Sequence, residues 1–254
     1  MEELSFEHIA IMGNLFYEDS NKKIYLTPEE PHTYHSNQWI YKQLPNIEEW
    51  RRDVQRQQQF HQAHQCTHLA FTFPANHHLD NDWKQILNKE GYQLGVLELY
   101  VIESAELARW QTKSDVQIQI VDKDNLEDYL TIYKHFALPF GHRFADESVK
   151  RTRIHIQQQY DNVVRLLAYY QNQPAGILDM IVSDEIVEID GFGVLENYQH
   201  QGIGSTLQAY VGQYADTRPV ILVADGEDTA RDMYLKQGYI YKGFCYQVVK
   251  ENIK

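Results

Sequence analysis

The apolar positions of this chain change period several times, and each change marks an element. Val116-Gln117-Ile118-Gln119-Ile120 alternates with a period of two, as a half-buried strand does, and Leu126, Tyr129, Leu130 and Tyr133 then follow at helical spacing. Val164 to Tyr170 and Ala175 to Val182 predict two strands joined by the turn Gln171-Asn172-Gln173-Pro174, and Ser183-Asp184 turns the chain into a strand over Glu185 to Val194. After a glycine-containing loop, Leu207, Tyr210, Val211 and Tyr214 define an amphipathic helix, and Val220-Ile221-Leu222-Val223 is an apolar run suited to a buried strand. A helix from about Asp228 to Lys236 stops at Gly238, and Tyr239 to Val249 predicts a last strand.

The first half carries weaker periodicity. His8 to Phe16 and Lys23 to Leu26 predict strands, Ile47 to His64 a polar helix, Leu69 to Phe73 a strand and Asn81 to Lys89 a second helix. Its end repeats a later pattern: Leu87-Asn88-Lys89-Glu90-Gly91-Tyr92 before Val96 to Ile102 echoes Tyr234-Leu235-Lys236-Gln237-Gly238-Tyr239 before Phe244 to Val249. Both predict a helix, a glycine-aromatic stop and a strand, as a diverged internal copy would. Glu103 to Lys113 is polar without Gly or Pro and predicts a helical connector, so the expected domains are residues 1–113 and 114–254.

Composition narrows the partners more than the fold. The 254 residues suffice for one large or two modest domains, and 18 tyrosines argue against disorder. A formal charge of -13 repels phosphate backbones, and no basic patch offsets it, so nucleic acid is not an expected partner; a cationic or amine-bearing one fits better. An acidic start and no long apolar run predict a cytoplasmic chain without a membrane partner. Cys66 and Cys245 lack a partner motif and read as reduced core thiols. His61, His64, His68, His77 and His78 form no ligand pattern completed by carboxylate or cysteine, so no metal is expected.

The richest segment runs from Gly193 through Val194, Gln199, His200, Gln201, Gly202, Ile203, Gly204 and Ser205 to Leu207, between a strand and a helix. Glycines there let backbone approach a ligand, and consecutive N–H groups at a helix N-terminus favour an anion such as a diphosphate. A tight strand-to-helix turn without a ligand satisfies the same residues. No lysine precedes Ser205 as a P-loop requires, and Gly191-Phe192-Gly193-Val194-Leu195-Glu196 breaks the dinucleotide fingerprint at its third glycine.

Gln199-x-x-Gly202-x-Gly204 resembles the Gln/Arg-x-x-Gly-x-Gly/Ala signature of the GNAT superfamily, and Ala230-Arg231-Asp232-Met233-Tyr234 through Gly238-Tyr239 resembles its Ala-x-x-x-Tyr-x-x-x-Gly-aromatic segment. The resemblance covers about Val116 to Glu251. It implies a mixed α/β (α+β) acyl-CoA N-acyltransferase fold, with a central mixed sheet flanked by helices, beside a degenerate GNAT-like N-terminal lobe. Acetyl-CoA is the implied cosubstrate. Residues 199 to 204 would hold its diphosphate, Ser205 would be a further cofactor-binding residue, and Gly193, Val194, Ala230 and Tyr234 would lie along the cofactor. The family often has Asn where this chain has Glu227, which alters one pantetheine contact.

The implied chemistry is direct attack of a small-molecule or peptide amine on the thioester in a ternary complex. Tyr234 matches the family's acid, Glu188 the glutamate base of histone-type members, and the Val194 N–H its oxyanion donor. Asp190 shares the Glu188 face by strand alternation and can substitute for it. His142 and Arg143 lie where family members line the acceptor site, a place equally suited to a structured turn with solvent-facing charge. A non-catalytic acyl-CoA sensor, an interaction scaffold and a homo-oligomer all stay open at this level.

Overall fold

The computed structural model describes residues 4–158, 162–226 and 230–253. Contacts divide the chain into two compact units, Met1–Leu99 with Ala224–Leu235 and Tyr241–Lys254, and Tyr100–Val223 with Lys236–Ile240.

In the first unit the strands β1 (Leu15–Glu18), β2 (Lys22–Tyr25), β3 (Trp39–Tyr41), β4 (His68–Thr72), β11 (Ile240–Glu251) and β5 (Gln93–Ile102) are neighbours in that order. β1, β2 and β3 pair antiparallel, β3 and β4 parallel, and β11 returns antiparallel to β4. Trp50 of α1 (Ile47–Ala63) centres the core. Its ring is fully buried, 4.4 Å from Phe71, 5.4 Å from Phe73, 5.5 Å from Tyr92 and 5.7 Å from Trp83 of α2 (Asn81–Lys89).

α1 is polar, yet it buries a stripe of Trp50, Asp53, Gln57 and His61. Each polar member is met. Asp53 pairs with Lys22 and accepts from the Tyr41 hydroxyl at 2.9 Å, and Gln57 exchanges two hydrogen bonds with the backbone of Ala70, at 2.8 and 3.0 Å. His61 Nδ1 lies 2.6 Å from the His68 carbonyl, and His68 Nε2 lies 3.2 Å from that of Asn37. Carbonyls only accept, so those nitrogens carry the protons. Among the described residues the other nitrogen of each ring is buried without a hydrogen-bond partner, with the rings 5.1 Å apart.

The glycine-aromatic pattern ends a helix at both of its occurrences. α2 ends before Gly91 at φ +76° and buried Tyr92, and α7 (Ala230–Lys236) before Gly238 at φ +94° and buried Tyr239. The strands that follow, β5 and β11, lie side by side.

The second unit orders β5, β10 (Val220–Asp225), β9 (Val187–Val194), β8 (Gln173–Val182), β7 (Val163–Tyr170) and β6 (Val116–Ile120) as neighbours. Pairing is antiparallel from β6 to β9 and parallel between β9 and β10. α4 (Leu126–Ala137) packs Leu126, Tyr129, Leu130 and Ile132 against Leu167 and Ile177. α3 (Ser104–Ala108), in the expected connector, packs on α6 (Ile203–Ala215), where a Cβ on Gly212 would stand 2.4 Å from the Ala108 nitrogen. Contact thus groups Tyr100 onward with this unit and most of β11 with the first, whereas the sequence divides the chain once, between residues 113 and 114.

Three sequence expectations are corrected. The strand expected from His8 to Phe16 starts at Leu15, and Phe6–His8 is a 3-10 turn. β3 was not expected, because three residues behind the polar, buried Ser36, Asn37 and Gln38 give no alternation to detect. α5 (His142–Gln158) occupies what reads as a turn, since its buried residues are small, Ala145, Ser148 and Thr152, and leave no apolar stripe. Gln157 and Gln158 are exposed at the end of α5; Gln159 and Asp228 lie outside the described residues. Cys66 and Cys245 are buried free thiols, with Cys245 pushed up to about 12 by burial.

Burial pushes the His68 imidazole down to about 4, with His61 adding to the effect. The unfolded chain takes up a proton near pH 6.5 that the folded chain refuses until about pH 4, so stability falls as pH drops through that window. Urea unfolding of the wild type between those pH values should show a slope steeper than that of His68→Gln by about 1 kcal/mol per pH unit; parallel slopes would refute it. Trp50→Ala should cost about 3–5 kcal/mol in the same assay.

Candidate active site

Two edges of β9 behave differently. Towards β10 the parallel register covers Val187 to Ile189 against Val220 to Leu222, although β9 runs on to Val194. Towards β8 the pairing continues, Glu188 facing Ile181, Asp190 facing Asp179 and, past an irregularity, Val194 facing Gly176. The Leu195 N–H donates to the Ala175 carbonyl at 2.9 Å, which makes Val194 and Gly176 a non-hydrogen-bonded pair of the ladder. The peptide groups of Val194 therefore point away from β8, and its carbonyl accepts from the Gln199 amide at 3.3 Å.

The loop after β9 forms a 3-10 turn at Glu196–Tyr198 and reaches α6 through left-handed residues, His200 at φ +62° and Gly202 at φ +79°. Gly202 is the N-cap and offers no side-chain cap, and the first turn of α6 holds no acidic residue. Its leading N–H groups are thus directed forward without a side-chain acceptor, an arrangement that fits a diphosphate. Thr206 donates to the Gly202 carbonyl at 2.9 Å and accepts the Lys113 N–H at 3.2 Å, and the Lys113 stem lies so close that a Cβ on Gly202 would come within 2.9 Å of it. A Cβ on Gly193 would meet the Phe136 ring at 2.6 Å, and one on Gly204 the Phe192 ring at 3.1 Å. These glycines are set by contact as well as by conformation.

A row of charge crosses three strands beside the loop. Arg165 on β7 faces Asp179 on β8, which faces Asp190 on β9. Directly opposed carboxylates repel, and Asp179, almost fully buried, is compensated by the Tyr129 hydroxyl at 2.7 and 2.9 Å and by Arg165 Nε at 3.9 Å. Burial, then the Asp179 charge, holds the Tyr129 phenol well above its ordinary pKa, so it stays a donor. Asp190 is exposed and is followed by Gly191 at φ +51°, whereas Glu188, on the same face, is buried. Sequence reasoning did not single out Tyr129, Arg165 or Asp179. The signal was a lone Arg and a lone Asp inside two otherwise apolar strands.

The other expected residues fall as follows. Gln199, His200 and Gln201 are exposed, Gly193, Val194, Gly202, Gly204 and Ser205 half-buried, and Ile203 buried. Tyr234 is half-buried on α7, in the first unit, and Ala230 begins that helix. Glu227 lies outside the described residues. His142 and Arg143 are exposed at the start of α5, where Arg143 pairs with Glu147 at 2.9 Å. Among the described residues no group of three His, Cys, Asp or Glu side chains is placed to hold a metal ion, and no helix is long and apolar enough to cross a membrane.

Residues 129–239 match the acetyltransferase (GNAT) family, and residues 4–100 match a domain of unknown function (DUF5613). A functionally unknown conserved protein from Staphylococcus epidermidis ATCC 12228 is 50% identical, with 99% of each chain covered and a TM-score of 0.94. The chain belongs to the family of that staphylococcal protein. It is similar in fold to a GCN5-related N-acetyltransferase from Kribbella flavida, at 15% identity over 84% of this chain and 81% of that one, TM-score 0.60. A tandem GNAT protein from the clavulanic acid biosynthesis pathway gives 10% identity, 85% and 76% coverage and a TM-score of 0.55. No curated protein matches the chain.

Gly193→Ala should lose about 1–3 kcal/mol to overpacking against Phe136, measured by urea unfolding, and Phe136→Leu in the same chain should recover part of it. Tyr129→Phe should cost a similar amount, about 1–3 kcal/mol, by stripping a donor from a buried carboxylate; an unchanged midpoint would remove the network from the folding core.

Proposed function

We propose that this protein is an acyl-CoA-dependent N-acetyltransferase that transfers an acetyl or short acyl group to a primary amine by direct attack in a ternary complex. The observation that carries the reading is the divergence of β9 from its pairing with β10, with the Val194 peptide turned away from β8 just ahead of the uncapped, glycine-led start of α6. The GNAT-family match over residues 129–239 supports it.

Acetyl-CoA supplies the activated acyl thioester as cosubstrate. Gly202, Ile203, Gly204 and Ser205 bind its diphosphate through backbone N–H groups, with Gln199, His200 and Gln201 along the rim. Gly193 and Val194 lie along the pantetheine, as do Glu227, Ala230 and Tyr234. The Val194 N–H donates to the carbonyl oxygen where charge develops. Glu188 accepts the amine proton, directly or through water, with Asp190 as the exposed carboxylate able to replace it, and Tyr234 returns a proton to the departing sulfur. His142 and Arg143 approach the acceptor from the start of α5. The first lobe, residues 1–113, is a diverged GNAT-like copy without its own cofactor loop, and residues 114–254 hold the chemistry. The Gly91 and Gly238 helix stops, and the fold shared with a tandem GNAT protein, support the copy. The acceptor is a small-molecule or peptide amine, and the protein works in the cytoplasm.

Thermal unfolding tests the reading. Acetyl-CoA at about 100 times its Kd should add roughly 2.7 kcal/mol of stability. Ser205→Asp, which places a carboxylate over the leading N–H groups of α6 without altering a glycine, should abolish that shift while the apo protein stays folded. No shift in wild-type, CoA-free protein would favour a scaffold. With an acceptor found by thiol release across an amine library, Tyr234→Phe should lower kcat by about 10²-fold or more; intact binding without turnover would favour a sensor.

A further inference from the structure

A cavity lies wholly within the first unit. It has a volume of about 540 Å³ and is walled by Tyr241, Phe244 and Tyr246 of β11, with Val96 and Glu98 from β5 and Arg231 from α7. The Glu98 carboxylate is almost fully buried, and the Arg231 guanidinium donates to it at 3.1 Å while lying over the Tyr241 ring, 4.6 Å from its centroid. The aromatic wall is held in place. Phe244 and Tyr246 meet edge to face at 5.4 Å, and the Phe244 N–H donates to the Asn76 side chain at 3.1 Å. Gly226 closes one side, where a Cβ would stand 2.9 Å from both Glu98 and Val96.

The resident group shows what the cavity selects. A buried carboxylate beside an aromatic face is a cation site, because the ring quadrupole and the carboxylate both attract positive charge and both repel an anion. In the folded chain Arg231 fills that role itself. Its side chain is 51% exposed and arises from a seven-residue helix with no buried residue among those described, so among the described residues little besides Glu98 and Tyr241 retains it. A half-exposed ion pair is weakly held.

We propose that this cavity binds an organic ammonium with an aromatic or bulky apolar body, which displaces Arg231 from Glu98 and lays its apolar part against Tyr241, Phe244 and Tyr246. Arg231 is then a resident competitor. The chain's charge of -13 favours the approach of such ligands. No acyl-CoA takes part in this binding, so the proposal stands or falls independently of the acetyltransferase reading.

Titration calorimetry of the full chain tests it with three isosteric probes: phenethylamine, neutral 2-phenylethanol and anionic phenylacetate. Phenethylamine should bind at least tenfold more tightly than either of the others. Glu98→Gln should weaken it at least tenfold, whereas Arg231→Ala, by removing the competitor, should tighten it several-fold. Tyr241→Leu, which leaves the carboxylate untouched, should weaken it about threefold or more, with circular dichroism confirming that each variant is folded. Equal binding of amine and alcohol, indifference to Glu98→Gln, or no binding at millimolar probe would overturn the proposal. So would preferential binding of phenylacetate that is lost in Arg231→Ala, since the cavity would then be an anion site.

Discussion

Parallel strands β9 and β10 share their ladder only as far as Ile189 and Leu222, and the chemistry-bearing part of the second unit is arranged around that stop. Backbone groups beyond the stop need other partners or a ligand. β9 continues because β8 still holds it, but at the cost of an irregular register between Asp190 and Gly193 that needs Gly191 in a left-handed conformation. Past that irregularity the strand presents the Val194 peptide on its open edge and runs through a glycine loop into α6. Phe136 closes the arrangement from α4, since its ring occupies the space a side chain at 193 would take.

Both units bury polar side chains, and in each the buried groups join elements far apart in sequence. In the first, Asp53, Gln57 and His61 fasten a polar helix to strand backbone or to β2 and β3 side chains. In the second, Tyr129, Asp179 and Arg165 tie α4 to the centre of the sheet beside the candidate carboxylates. Such groups are costly to bury and costlier to strand without partners, so they fix which face of a helix meets which residue of a strand. The Glu98 and Arg231 pair in the first unit differs, because one partner is half in water and free to exchange.

The elements with a clean period were legible in the sequence: the β7–β8 hairpin, the amphipathic α6 and the buried β10 lie close to where apolar spacing places them. The glycine loop was legible as well, since only glycine tolerates both the left-handed turn at 202 and the crowding at 193 and 204. α5 was hidden because it packs through Ala145, Ser148 and Thr152, and β1 because its Leu15, Phe16 and Tyr17 are exposed on an edge strand. In both, side-chain hydropathy does not report burial.

What the sequence determined by itself is therefore local: the period of each regular element, the helix stops at Gly91 and Gly238, and the anion-suited loop with its family resemblance. Tertiary structure alone decided which charges meet. Arg165, Asp179 and Asp190 form a row only because three strands pair in one register, and Glu98 meets Arg231 across 133 positions of chain. A side chain's charge and size are written at its own position. Its burial and its partner depend on strand register and helix docking, which arise from the summed packing of distant segments and leave no periodic trace in any one of them.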